Sequence, residues 1–282
     1  MKRVLTVQDI SCVGKCSLTV ALPVISAFGV ETAVLPTAVL STHTAFKHFT
    51  FRDLTEDIPA IKEVWKKEGL GFDAVYTGYL GSEKQIALIG EMFESFRDFG
   101  GKRAFILVDP VMADNGKLYH GFDQAFAAKM TELCKKADVI VPNLTEATLM
   151  LGEPFIAEGY DEIYIKSLLK KLTDLGAKTA IITGVSFEQD KLGAYGYDSE
   201  KGEYFYCYGE KLPVSFHGTG DIFASAICGA MAIGKSVKES AQIAVDFTVE
   251  SIKLTIKDKN ANFYGVNFEQ AIPYLIERIR KA

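Results

Sequence analysis

Short, continuously apolar runs alternate along this chain with segments whose apolar residues recur at helical spacing. The runs are residues 4–8, 33–40, 73–78, 105–112, 138–142 and 178–184. Between them, residues 18–28 stop at Gly29, residues 58–67 look helical, and Ile89, Met92, Phe93 and Phe96 share one stripe, as do Ile165, Leu168, Leu169 and Leu172 before Gly176. A strand apolar on both faces must be covered on both faces, and a strand followed by a helix returns parallel to its predecessor. The pattern predicts an α/β fold of three layers around a mainly parallel sheet. Residues 192–197 and 204–208 read as an antiparallel hairpin that extends one edge of it.

A length of 282 residues suffices for one large core, and no linker or composition shift interrupts it, so a single domain over 1–282 is expected. The net charge of −5 argues against a nucleic acid and for a small-molecule partner. No stretch approaches the roughly 20 apolar residues of a membrane helix, so no membrane is expected as a partner. Asp9 and Lys15 break any signal-peptide pattern. Five cysteines, Cys12, Cys16, Cys134, Cys207 and Cys228, have no paired spacing, which favours reduced thiols and a cytoplasmic protein.

The stretch Val214-Ser215-Phe216-His217-Gly218-Thr219-Gly220-Asp221 opens a small-residue, apolar helix. Glycines on both sides of Thr219 allow successive N–H groups to point one way, and the helix start adds its positive dipole end, so the turn suits an anion. Asp221 beside such an anion is well placed to accept the proton of a hydroxyl that attacks phosphorus. The same residues also read as a plain helix start with Thr219 as N-cap.

Other candidates end the predicted strands. Residues 9–16 miss the P-loop pattern, because Asp9 stands where glycine is needed and Cys16 where the magnesium-binding hydroxyl is needed. Asp9 and Ser11 remain candidates for polar substrate contacts in that loop. His43 can bond or stack against a substrate ring, or be structural. Asp109 caps its strand, where it can meet a cation or form an Asp-Pro turn. Residues 113–119 form a polar segment able to close over a nucleotide. Asn143 and Glu146 read as N-cap and capping-box partner, and can also hold magnesium through water. Thr183 ends the last parallel strand. In a doubly wound sheet these loops share one carboxyl edge.

Taken together, Gly218-Thr219-Gly220-Asp221, Asn143-Leu144-Thr145-Glu146, Asp109-Pro110-Val111-Met112, residues 77–82 (TGYLGS) and Ser41-Thr42-His43-Thr44 resemble the ribokinase-like superfamily and, within it, the pyridoxal kinase group. The resemblance implies a three-layer α/β/α fold, ATP with Mg2+, a monovalent cation such as K+, a homodimer, and phosphorylation of the 5′-hydroxymethyl group of a vitamin B6 vitamer. It implies Asp221 as base and Gly218, Thr219 and Gly220 as anion hole. Asp9, Ser11, His43, Thr44 and Tyr79 would meet the substrate. Asp109, Asp114, Tyr119, Asn143, Glu146 and Thr183 would serve the nucleotide, with Asp109, Asp114 and Glu146 toward the metal. Where many pyridoxal kinases read Gln-Ser-His, this chain reads Gln8-Asp9-Ile10, which points to a substrate with a cationic amine, such as pyridoxamine. His217 is similar to hydroxymethylpyrimidine phosphate kinases, which usually carry Cys in place of Asp221. A kinase of that kind is the enzyme alternative, and a binding protein without chemistry the alternative from another class.

Overall fold

The computed structural model describes residues 1–214 and 216–281; Ser215, near the head of the glycine turn, and Ala282 lie outside the described residues. Nine strands form one sheet: β1 (Arg3–Ser11), β2 (Glu31–Leu40), β3 (Phe51–Asp53), β4 (Ala74–Thr77), β5 (Phe105–Val108), β6 (Val139–Ile140), β7 (Thr179–Val185), β8 (Lys191–Asp198) and β9 (Glu203–Glu210). Their spatial order is β9-β8-β7-β6-β5-β4-β1-β2-β3. Every pair from β2 across to β7 is parallel. The β8–β9 hairpin adds antiparallel strands at one edge, as the sequence predicts, and β3 adds one at the other.

Alternate residues of the parallel strands face opposite layers. Leu5, Val7, Val75, Ile106, Val108, Ile140 and Ile182 join a core with α2 (Ile58–Lys67), α3 (Glu83–Phe96), α4 (Gln124–Cys134), α5 (Leu144–Leu151) and α6 (Glu162–Asp174). Val4, Ala74, Tyr76, Leu107, Val139 and Ile181 join the other, with α1 (Leu18–Ala27), α7 (Thr219–Ala232), α8 (Val237–Lys257) and α9 (Phe268–Lys281). Both faces are therefore dry, which is why these strands carry no polar alternation.

Two local expectations are corrected, and one strand is added that the sequence analysis does not predict. The strand expected over 105–112 ends at Val108, because Asp109-Pro110 follows and proline offers no N–H to a ladder. β1 runs on through Asp9 to Ser11, so those two residues are extended backbone, not loop. The exposed edge strand β3, three residues long, carries no apolar pattern by which the sequence could announce it.

Gly229 lies inside α7, where an added Cβ would collide with the Phe28 ring. Alanine at an open helical site gains about 1 kcal/mol over glycine. Here the clash reverses the sign: Gly229→Ala should destabilise the protein by about 1–3 kcal/mol. A lowered Tm by calorimetry, partly restored by Phe28→Leu, checks this.

Candidate active site

Because β1, β2 and β4 to β7 are parallel, their carboxyl ends lie on one edge, and the strand order reverses around β1. The first turn of α7 reaches the same edge. Gly218, not Thr219, is its N-cap, with φ +80°. The Thr219 hydroxyl donates instead to the Phe216 carbonyl at 3.2 Å. A glycine cap has no side chain to offer the first-turn N–H groups, and around Gly220 a Cβ would meet nothing within 4 Å. These amides, at the positive end of a helix of 14 residues, fit an anion.

Four carboxylates crowd the edge. Asp221 has its carboxyl pushed up to about 7, chiefly by burial, with the charge of Asp9 adding and the Ser17 backbone N–H opposing. Asp9 is buried and raised for the same reason, although the Ser11 hydroxyl donates to its Oδ2 at 3.2 Å. Asp109 is buried and raised well above the carboxylate range by desolvation, then by the charges of Glu146 and Asp221. Glu146 is also buried and raised by desolvation, against three backbone donors: Met112 and Ala113 to Oε1 at 3.0 and 3.4 Å, and Asn143 to Oε2 at 2.9 Å.

Asn143 and Glu146 form a capping box at the start of α5, the Glu146 N–H donating to Asn143 Oδ1 at 2.9 Å. Asn143 Nδ2 also donates to the Ala113 carbonyl at 2.8 Å, and the Gly116 N–H donates to Thr145 Oγ1 at 2.9 Å. The capping box is thus also the clamp of the 113–118 segment, a tight hairpin turned by Asn115 (φ 50°) and Gly116 (φ 75°). Tyr119, just beyond it, feels the charges of Glu146, Asp114, Asp109 and Asp221. Thr183 bridges to Asn143 on the neighbouring strand end.

On the opposite side, the His43 ring lies 5.5 Å from that of His217, beside the glycine turn. Burial, then His217, lowers its pKa, and its Nδ1 accepts the Ala45 N–H at 3.0 Å. Burial, then the charge of nearby Asp9, raises the Tyr79 phenol, whose ring stacks on Phe122 at 5.7 Å. Thr44 is exposed beside His43. Asp114 is turned into its own hairpin, accepting from Asn115 N at 2.8 Å and Asn115 Nδ2 at 3.0 Å.

Sequence reasoning missed Ser17. Its φ of 50° is uncommon for a residue with a side chain, and it stands beside both Asp221 and Asp9, its N–H lowering the first carboxyl and its hydroxyl the second. No pattern in the sequence signals such a conformation.

Among the described residues, no group of three or more His, Cys, Asp or Glu side chains is arranged to hold a metal ion. Asp114 serves its own turn, and Glu146 is engaged by backbone donors. Two buried carboxylates without a Lys or Arg of this chain among the groups shifting them nevertheless suit Mg2+ held mainly by phosphate and water.

The phosphomethylpyrimidine kinase family profile matches residues 22–265. The chain belongs to that family. Within the ribokinase-like superfamily this kinase falls in the pyridoxal kinase group. A Bacteroides thetaiotaomicron protein described as a phosphomethylpyrimidine kinase, crystallised with pyridoxal, is 39% identical with a TM-score of 0.90 over 97% of this chain and 95% of its own. Pyridoxal kinase from Lactobacillus plantarum is 32% identical, with a TM-score of 0.89 over 98% and 97%. Pyridoxine kinase of Bacillus subtilis is 28% identical over 223 residues, 79% of each chain.

Because folding raises the pKa of Asp221 above its unfolded value, this carboxyl favours the folded kinase at low pH, and its contribution is lost as pH rises through about 7. Asp221→Asn keeps an acceptor for Ser17 without the charge. It should raise Tm relative to wild type at pH 8, and the gain should vanish near pH 4; melting curves across that range test it.

Proposed function

We propose that this kinase transfers the γ-phosphoryl group of ATP to the 5′-hydroxymethyl group of a vitamin B6 vitamer. The observation that carries the reading is the placement of Asp221, with a pKa near neutrality, one turn from the open amides of Gly218, Thr219 and Gly220. Asp221 accepts the alcohol proton as the oxygen attacks phosphorus. The bond from phosphorus to the oxygen bridging to the β-phosphate breaks, and ADP and a phosphate monoester leave. The amides face the charge that develops on the transferred group. Bound Mg2+, near Asp109 and Glu146, would neutralise phosphate charge. Tyr119 and the hairpin clamped by Asn143 and Thr145 exclude water, and Thr183 lies toward the phosphates. His43, Thr44, Ser11 and Tyr79 orient the ring. From the resemblance the reading takes a monovalent cation, a homodimer and a cytoplasmic location.

Under this reading kcat/KM rises with pH to a plateau above about 7, because only ionised Asp221 takes the proton. Asp221→Asn should lose about 10² or more in kcat and the acidic limb with it. Full activity in that variant would end the assignment.

Asp9 supports an amine-bearing vitamer, since its carboxylate is buried with the Ser11 hydroxyl as a partner and no cation among the groups that shift it. Asp9→Ser should shift kcat/KM from pyridoxamine toward pyridoxal by about tenfold, the scale of one charge-assisted contact. Equal ratios in variant and wild type would refute it. His217 beside the anion turn favours a second reading, hydroxymethylpyrimidine as the alcohol, and a steady-state comparison of this substrate with the three vitamers decides between them.

A further inference from the structure

Residues 12–16, the near-miss P-loop, have no part in the phosphoryl transfer, and their lysine does not point at the anion turn. Lys15 Nζ donates to Asn267 Oδ1 and Glu269 Oε2, both at 2.9 Å, at the start of α9. Asn267 is a buried hub: its N–H donates to Thr255 Oγ1 at 2.7 Å and its Nδ2 to Asp258 Oδ2 at 2.9 Å. At its other end Lys15 forms the seat of the anion turn. Gly218 lies so close to the Lys15 carbonyl that a Cβ there would collide with it, and a Cβ at Gly265 would come within 2.5 Å of Lys15 Cβ. The strap also ties to the substrate side, where the His43 N–H donates to the Val13 carbonyl at 2.8 Å.

We propose that Lys15, held by Asn267, is a positioning residue: a latch from the start of α9 that fixes the height of the Gly218 turn beneath the transferred phosphoryl group. The inference rests on the phosphoryl-transfer reading. Glu269 is the minor partner, because its carboxylate is half exposed to solvent. A turn displaced by a fraction of an ångström loses alignment with developing charge, so the latch acts on kcat more than on substrate affinity.

The test uses the whole chain with Lys15→Met, which keeps the aliphatic stem packed, Asn267→Ala, and the double variant. Turnover is measured together with Tm and the amide NMR shifts of Gly218 and Gly220. Each single variant should lower kcat by about tenfold to a hundredfold, with the KM of the alcohol within about twofold and both glycine amides shifted. The double variant should be no worse than either, since the two residues act as one unit. Loss of turnover in Lys15→Met with wild-type turnover in Asn267→Ala would overturn the latch, because the ammonium would then act directly. Unmoved glycine amides in both variants would overturn it too. If the wild type phosphorylated no alcohol, the proposed function would fall, while the amide shifts would still judge the latch.

Discussion

Four buried or half-buried carboxylates of one sign, Asp9, Asp109, Glu146 and Asp221, are gathered at one sheet edge, and no Lys or Arg of the described residues enters the balance of their charges. Removing an anion from water is costly, and bringing like charges together adds to the cost. The rest of the fold is what makes the arrangement tolerable. Two dry faces of a nine-stranded sheet supply the core, and several donors that oppose the charges come from other elements: Ser17 for Asp221, Met112 and Ala113 for Glu146. An edge so charged, next to a helix start whose amides are open, separates the two needs of a phosphate ester. On the proposed reading, anionic oxygen would face the amides, and the cations accompanying it would face the acids.

The parallel sheet was legible because its strands are apolar on both faces, and the hairpin because tyrosines alternate through β8 and β9. The edge itself was legible too, since Asp109, Asn143 and Asp221 each stand where a run of apolar residues begins or ends. Asn143 and Glu146 show why two readings of one motif need not compete. The two residues of the capping box that starts α5 also make bonds that clamp the 113–118 hairpin, so helix start and site wall are one structure.

What could not be read has physical reasons as well. Ser17 occupies a backbone region that sequence associates with glycine, where it serves the buried carboxyls of Asp9 and Asp221. Asp114 bonds its own turn, the local preference of an Asp before Asn-Gly, which its sequence neighbours could have signalled. β3 pairs through backbone alone, so no side-chain pattern announces it.

Lys15 and Ser17, two residues apart in the strap between β1 and α1, meet the two ends of the same helical turn. The carbonyl of Lys15 seats Gly218, and the N–H of Ser17 reaches Asp221. The proposed anion hole and base lie within one turn of α7, so their spacing is already set by the helix. What the strap adds is their position relative to everything else, since it also receives His43 through Val13 and Asp9 through the Ser17 hydroxyl. One short segment therefore registers the His43 loop, Asp221 and the Gly218 turn against each other, the three parts the proposed function assigns to substrate, proton and phosphate. Without a P-loop's own phosphate chemistry, this segment serves the site through alignment.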